Sequence, residues 1–165
     1  MAKITIIYDS ITGNTKRMAE EVYKGANHVG ELDIVLKHVD EASGLDLLSE
    51  GLIIGSPTHC GVISWKLKKF FDENTRVAWG KVGGYIATAF SSSGGLGGGN
   101  EVTLLSILSI LMNYGYLVFG LPDYAAPGVT GHYGAVSVRN PDEKELKQCY
   151  LLGVRIAEYV KRFHS

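Results

Sequence analysis

Residues 4–17 read ITIIYDSITGNTKR, and they carry the strongest structural signal in this 165-residue chain. An apolar run ends at Asp9, a turn rich in hydroxyl and amide side chains follows, and a helical pattern begins near Thr15. Such a turn directs several N–H and hydroxyl groups at one point, where the dipole of the following helix favours an anion. The segment therefore predicts a phosphate-binding loop made of Ser10, Ile11, Thr12, Gly13, Asn14 and Thr15.

This turn differs from the loop that binds nucleoside triphosphates. The spacing GxxxxGK[ST] is absent, and with it the lysine and the magnesium-binding hydroxyl that phosphoryl transfer needs. An ordinary helix N-cap is the simpler alternative, but a cap uses one side chain, whereas here several hydroxyl and amide side chains surround a glycine. We therefore expect uncharged donors that hold a terminal monophosphate.

Composition excludes several classes of protein. Sixteen basic residues oppose seventeen acidic ones, so no excess of positive charge is present to bind nucleic acid. The longest apolar stretch, 102–112, is too short and too interrupted by Ser and Thr for membrane insertion. The first predicted strand begins near the N-terminus, which leaves no room for a secretion signal. The two cysteines are far apart in sequence, and we expect both to be free thiols. We expect a cytoplasmic protein with one domain over 1–165 and no metal site.

Strand and helix patterns alternate along the chain, which predicts an α/β fold. The predicted strands are Lys3–Tyr8, Leu32–Val39, Leu52–Gly55, Val82–Phe90 and Leu117–Phe119, and the predicted helices are Thr15–His28, Gly44–Ser49, Ser64–Asn74, Glu101–Tyr114 and Asp142–Phe163. Short apolar strands between helices indicate a doubly wound parallel sheet of five strands in the order 2-1-3-4-5. Residues 120–140 read as a long loop, and loops of that length often have a function.

Ligands of such sheets bind beyond the carboxyl ends of the strands, where two more loops of unusual composition follow the first. After strand three come Pro57, Thr58, His59, Cys60 and Gly61, and after strand four come Ser91, Ser92, Ser93, Gly94, Gly95, Gly98 and Gly99. A plain turn and a flexible surface segment are the alternatives. Glycine, however, lets a flat ligand lie against bare backbone. Trp79 and Tyr133 either flank such a ring or pack within the protein.

The three loops resemble those of the flavodoxin-like FMN proteins over nearly the whole chain. Residues 10–15 match the phosphate-loop pattern S/T-x-T-G-x-T of that family. The segments 55–58, 90–101 and 133–135, together with Trp79, are similar to the NAD(P)H:quinone oxidoreductases of the WrbA type. The resemblance implies bound FMN, with its phosphate in the first loop and its ring between the second and third.

Two functions follow from this resemblance. The short chain and the flavodoxin-type phosphate loop favour an electron carrier that exchanges electrons with redox partner proteins. The glycine-rich third loop and the neutral charge favour the alternative, an enzyme that reduces a quinone with NAD(P)H. No catalytic residue is assigned. The helix at 101–114 is apolar around most of its circumference, so it is either buried or part of an interface in a homo-oligomer.

Overall fold

The computed structural model describes residues 1–164 and contains six strands, four α-helices and three short 3₁₀ segments. The strands are β1 (Lys3–Tyr8), β2 (Asp33–His38), β3 (Gly51–Pro57), β4 (Ile86–Ser93), β5 (Leu117–Val118) and β6 (Ala135–Val138). The α-helices are α1 (Asn14–His28), α2 (Trp65–Ala78), α3 (Asn100–Tyr114) and α4 (Glu143–His164), and the 3₁₀ segments are Val39–Glu41, Gly44–Leu48 and Asp123–Ala125. None of the helices within residues 1–164 is both long and apolar enough to cross a membrane.

The parallel sheet has the order β2-β1-β3-β4-β5, which confirms the predicted topology. Its fifth position is filled in two pieces, because β5 pairs with the first half of β4 and β6 pairs with the second half. Residues 119–134 leave the sheet between these two pieces. Sequence reasoning placed β6 in a long loop, since a strand of four residues among glycines and prolines gives a weak periodic signal.

The bounds of β4 also differ from the prediction. The strand begins at Ile86, because Gly84 adopts a left-handed conformation (φ +88°) that ends the preceding turn. It continues through Ser91, Ser92 and Ser93, which were predicted to lie in a loop, because β3 extends to Pro57 and pairs with Ser92. The three serines are therefore buried strand residues that point from the sheet toward its covering layers.

Helices cover both faces of the sheet. On one face Ile7, Leu52 and Ile54 pack with the apolar residues of α2 and α3, and on the other Ile4, Ile6 and Ile53 pack with those of α1 and α4. The alternation of side chains along each buried strand supplies both cores at once. Because every crossover helix returns to the amino ends of the strands, the loops that follow β1, β3 and β4 meet at the carboxyl edge.

The helices α1 and α4 approach closely through two glycines. A Cβ added at Gly25 would lie 2.0 Å from the carbonyl oxygen of Tyr150, and one at Gly153 would lie 2.0 Å from that of Val22. Backbone atoms at this distance cannot move aside locally, so a methyl group at either position must push the helices apart.

We expect Gly153→Ala to lower the free energy of unfolding by about 1–3 kcal/mol, although alanine favours helix formation. Urea denaturation measures the change. Gly83→Ala is the control, because a Cβ there meets nothing within 4 Å. Equal stability of the two variants would contradict the close packing.

The carboxylate of Asp46 forms a partly buried ion pair at the end of the sheet. Lys37 Nζ lies 2.8 Å from Asp46 Oδ1, and the Ser43 N–H donates to Oδ2 at the same distance. Burial raises the pKa of Asp46, but the hydrogen bonds from Lys37 and Ser43 outweigh it, so the pKa lies below its usual value. The ionised carboxylate therefore stabilises the folded chain.

Because its folded-state pKa is lowered, Asp46 contributes stability that is present above about pH 4 and lost as the pH falls through the folded-state pKa. We expect Asp46→Asn to reduce the free energy of unfolding at neutral pH by about 1–3 kcal/mol and to weaken its dependence on acid. Denaturation curves at several pH values test this, with the exposed Asp33→Asn as control. If the free energy of unfolding fell equally with pH in the wild type and in Asp46→Asn, the prediction would be wrong.

Candidate ligand-binding site at the carboxyl edge

A cavity of about 240 Å³ lies where the three predicted loops meet. It is lined by Ile11, Thr12, Asn14, Thr15, Pro57, Thr58, His59, Ser92, Ser93 and Gly94. The structure thus brings together residues from all three loops. No lysine, arginine or carboxylate is among these lining residues.

The first loop presents backbone N–H groups to this cavity. Gly13 (φ +92°) occupies the N-cap position of α1, where a glycine has no side chain to cap the helix. Ser10 Oγ accepts from the N–H groups of Gly13 (3.2 Å) and Lys16 (3.3 Å), so this hydroxyl holds the loop in shape. Within residues 1–164 the N–H groups of Asn14 and Thr15 have no protein acceptor. A helix start with two free N–H groups is suited to an anion.

The second loop ends in a tight hairpin turn. His59 and Val62 exchange backbone hydrogen bonds of 3.0 and 3.1 Å. Between them Cys60 (φ +50°) and Gly61 (φ +85°) both have left-handed conformations, the pattern of a type I′ turn. Glycine suits this turn, whereas Cys60 holds it at some cost. Cys60 is exposed at the tip, and the carbonyl oxygen of Gly61 lies 3.3 Å from where a Cβ of Gly99 would be.

The third loop is shorter than predicted, because the three serines belong to β4. Ser93 Oγ donates to the carbonyl oxygen of Gly95 (3.0 Å), and Arg139 Nε donates to that of Gly94 (3.2 Å). Gly99 (φ +99°) occupies the N-cap position of α3 and has no side chain to cap that helix. These contacts give the glycine-rich segment a defined path between β4 and α3.

Buried hydroxyl and amide groups connect the three loops beneath the cavity. Thr15 Oγ1 and Ser92 Oγ are 2.8 Å apart, which joins the first loop to β4. On the other face of β4, Thr58 Oγ1 lies 3.2 Å from Ser91 Oγ and 2.8 Å from Thr103 Oγ1. The two faces of the strand thus fix different loops.

Asn100 completes this network. Its Oδ1 accepts from Thr58 and Ser91 (both 3.4 Å), and its Nδ2 donates to the Ser137 carbonyl oxygen (3.1 Å). Sequence reasoning did not assign Asn100, Thr103 or Ser137 to the site. One sequence feature could have indicated the first two: Asn100 and Thr103 are polar residues on the side of the helix that is otherwise apolar and buried.

Trp79 is the predicted site residue that the structure places elsewhere. It follows α2, which runs from the carboxyl end of β3 back toward the amino end of β4. Trp79 therefore lies at the opposite edge of the sheet, where its ring contacts Tyr114 edge-to-face at 6.0 Å. A residue just before a parallel strand lies at the amino edge of the sheet. The structure therefore does not bring Trp79 to the carboxyl edge, where it was predicted to contact a ring.

The other predicted residues lie in the three loops or, in the case of Ser91, in β4, and all are outside the cavity lining. They are Ser10, Gly13, Cys60, Gly61, Ser91, Gly95, Gly98 and Gly99. Tyr133 lines a separate, smaller cavity of about 100 Å³ with Glu101, Leu104 and Thr130–Gly134. Residues 1–164 contain no group of three or more His, Cys, Asp or Glu side chains placed to hold a metal ion.

A doubly wound parallel sheet with a turn of uncharged hydrogen-bond donors after its first strand defines a flavodoxin-like α/β protein. The comparisons with known proteins agree with this class. The family model described as flavodoxin matches residues 6–136, and the chain belongs to the flavodoxin family.

Relatives of two kinds match almost the whole chain. A flavodoxin of Aquifex aeolicus is 53% identical over 165 residues, covering 99% of this chain and 89% of that protein. An NAD(P)H dehydrogenase (quinone) of Archaeoglobus fulgidus is 32% identical over 191 residues, covering 98% and 99%. The structure of a flavodoxin, WrbA-like protein from Agrobacterium tumefaciens has a TM-score of 0.80 at 23% identity, covering 98% and 99%, which shows the shared fold.

We expect Asn100→Ala to destabilise the protein by about 1–3 kcal/mol, because it removes the donor to the Ser137 carbonyl oxygen and one of the partners of the Thr58 and Ser91 hydroxyl groups. Urea denaturation measures this change. Asn113→Ala is the matched control, since Asn113 is an exposed residue of the same helix. Equal stability of the two variants would show that the network does not fix the loops.

Proposed function

We propose that this chain binds FMN at the carboxyl edge and serves as an electron carrier between redox partner proteins. Flavodoxin family members bind FMN. The start of α1, with the free N–H groups of Asn14 and Thr15, is the observation that carries the proposal.

The donor chemistry of the first loop fits the phosphate of FMN. Asn14 and Thr15 offer N–H groups, and Thr12 and Asn14 add a hydroxyl and an amide beside them in the cavity. Lys16 Nζ lies 4.0 Å from Glu20 instead, and the Arg17 guanidinium contacts the Asn140 side chain. Neutral donors at a helix N-terminus suffice for a phosphate. We therefore infer that the phosphate is bound without a lysine contact.

The second and third loops are suited to hold the flavin ring. Thr58 and His59 line one side of the cavity and Ser93 and Gly94 line another. The bound flavin supplies the redox chemistry, and the protein adjusts it through hydrogen bonds and packing. The turn at Cys60–Gly61 presents backbone N–H and C=O groups near this place, and Gly61 lets the peptide change orientation at low steric cost.

Three observations favour a carrier. The identity to a flavodoxin is 53%, against 32% to a quinone reductase. The match to the reductase also extends over 191 aligned positions, although this chain has 165 residues, so segments of that enzyme have no counterpart here. Ile11 and Leu96 are exposed beside the cavity, which leaves the edge open to a protein surface.

Reduction of a quinone by NAD(P)H is the second candidate. The relative named NAD(P)H dehydrogenase (quinone) covers 98% of this chain and supports it. The cytoplasm remains our prediction for the location, because an exposed thiol such as that of Cys60 persists in a reducing compartment.

The phosphate site is tested by comparing FMN with riboflavin, which lacks the phosphate. We expect Thr12→Ala and Asn14→Ala each to weaken FMN binding about tenfold or more while leaving riboflavin binding unchanged, because each removes a hydrogen bond to a charged group. Quenching of flavin fluorescence by the apoprotein measures both affinities.

Asn27→Ala is the control, since Asn27 lies at the other end of the same helix and is exposed. If the apoprotein does not quench FMN fluorescence, the cofactor assignment fails. Anaerobic addition of NADH or NADPH to the FMN-loaded protein then separates the two functions. A carrier keeps its flavin absorbance, whereas rapid bleaching would identify the reductase.

A further inference from the structure

Two buried hydroxyl groups that line the ligand cavity carry one more proton than the protein accepts. Thr15 Oγ1 and Ser92 Oγ lie 2.8 Å apart, and both residues line the cavity although Thr15 is only 2% exposed and Ser92 only 5%. A hydrogen bond between two hydroxyl groups uses one of their two protons. Within residues 1–164 neither hydroxyl forms a second hydrogen bond, so the other proton has no protein acceptor.

The other two serines of β4 differ from Ser92, because their hydroxyl protons have acceptors within the protein. Ser93 Oγ donates to a backbone carbonyl oxygen at 3.0 Å, and Ser91 Oγ donates to Asn100 Oδ1 at 3.4 Å. These two hydrogen bonds end on protein oxygens, whereas the Thr15–Ser92 pair ends at the cavity. Because a buried O–H group without an acceptor is costly, we expect the ligand to supply the missing acceptor.

The backbone beside this hydroxyl pair indicates which kind of acceptor fits. The free N–H groups of Asn14 and Thr15 lie at the start of α1, and the Thr15 hydroxyl belongs to the second residue of that helix. Two N–H groups and one O–H group are therefore available to a single ligand group, and no carboxylate lines the cavity. A fully ionised phosphate only accepts hydrogen bonds, which matches a set of groups that only donates.

We infer that Ser92 is a positioning residue for phosphate binding: its hydroxyl donates to Thr15 Oγ1, and Thr15 donates its own proton to the phosphate of FMN. In this direction every hydroxyl proton of the pair has an acceptor once the phosphate is bound. A hydroxyl group that accepts a hydrogen bond is polarised and becomes a stronger donor, so Ser92 strengthens the contact without touching the phosphate. The inference rests on the proposed binding of FMN, and it adds a residue of β4 to a phosphate site predicted from residues 10–15 alone.

The ratio of the affinities for FMN and riboflavin tests this role, because riboflavin lacks the phosphate. We expect Ser92→Ala to weaken FMN binding about tenfold and to leave riboflavin binding unchanged. Thr15→Val should weaken FMN binding at least as much, since it removes the hydroxyl that contacts the phosphate. Thr15→Ser keeps this hydroxyl and should bind FMN like the wild type. Quenching of flavin fluorescence by the apoprotein measures each affinity.

Combining the variants tests whether Ser92 acts through Thr15. In the Thr15→Val background, Ser92→Ala should weaken FMN binding by less than about twofold more, because the hydroxyl that it positions is gone. Thr88→Val is the matched control: Thr88 is a buried residue of the same strand, and its hydroxyl donates to the Phe119 carbonyl oxygen at 2.7 Å. This control should leave both flavin affinities unchanged. Far-UV circular dichroism verifies that every variant is folded.

Several results would overturn the positioning role of Ser92 and leave the proposed function intact. One is a Ser92→Ala variant that binds FMN like the wild type, and another is one that binds FMN and riboflavin equally weakly, which would mean a structural role alone. A third is a full effect of Ser92→Ala in the Thr15→Val background, because Ser92 would then act independently of Thr15. A folded wild-type apoprotein that binds neither flavin would contradict the proposed function as well.

Discussion

The site depends on hydroxyl groups that are buried in β4. Ser92 bonds with Thr15 on one face of the strand, and Ser91 bonds with Thr58 and Asn100 on the other. A buried hydroxyl without a partner is costly, so the serines are stable in the sheet only while these bonds persist. The same bonds fix three loops relative to one another. Strand stability and the shape of the site are thus two results of one network.

Electrostatics in the cavity come from backbone dipoles rather than from charged side chains. At the start of α1 the N-cap residue is a glycine, and the N–H groups of Asn14 and Thr15 remain free for a ligand. Lys16 and Arg17 follow directly but contact Glu20 and Asn140. A rigid set of neutral donors can bind a phosphate without reorganising, because the dipoles are already oriented by the helix. This property suits a cofactor that stays bound while electrons pass through it.

The helices on the two faces of the sheet differ in how they bury their apolar side chains. The helices α1 and α4 pack so closely that Gly25 and Gly153 admit no side chain, and their outer sides are charged. On the other face, α3 buries one side and presents a second apolar side outward. The outer side of α3 therefore exposes Val102, Leu105 and Met112, whereas the outer sides of α1 and α4 are mostly charged.

The sequence by itself determined the strand order, the convergence of three loops and the position of the donor-rich turn at Ser10–Thr15, because hydrophobic periodicity and turn composition are local properties. Only the tertiary structure decided that Ser91 and Ser92 are strand residues, that Asn100 belongs beneath the cavity, and that Trp79 lies at the far edge. Those outcomes depend on strand direction and on partners distant in sequence. Local patterns contain neither, since a buried serine becomes favourable only when another segment supplies its hydrogen bond.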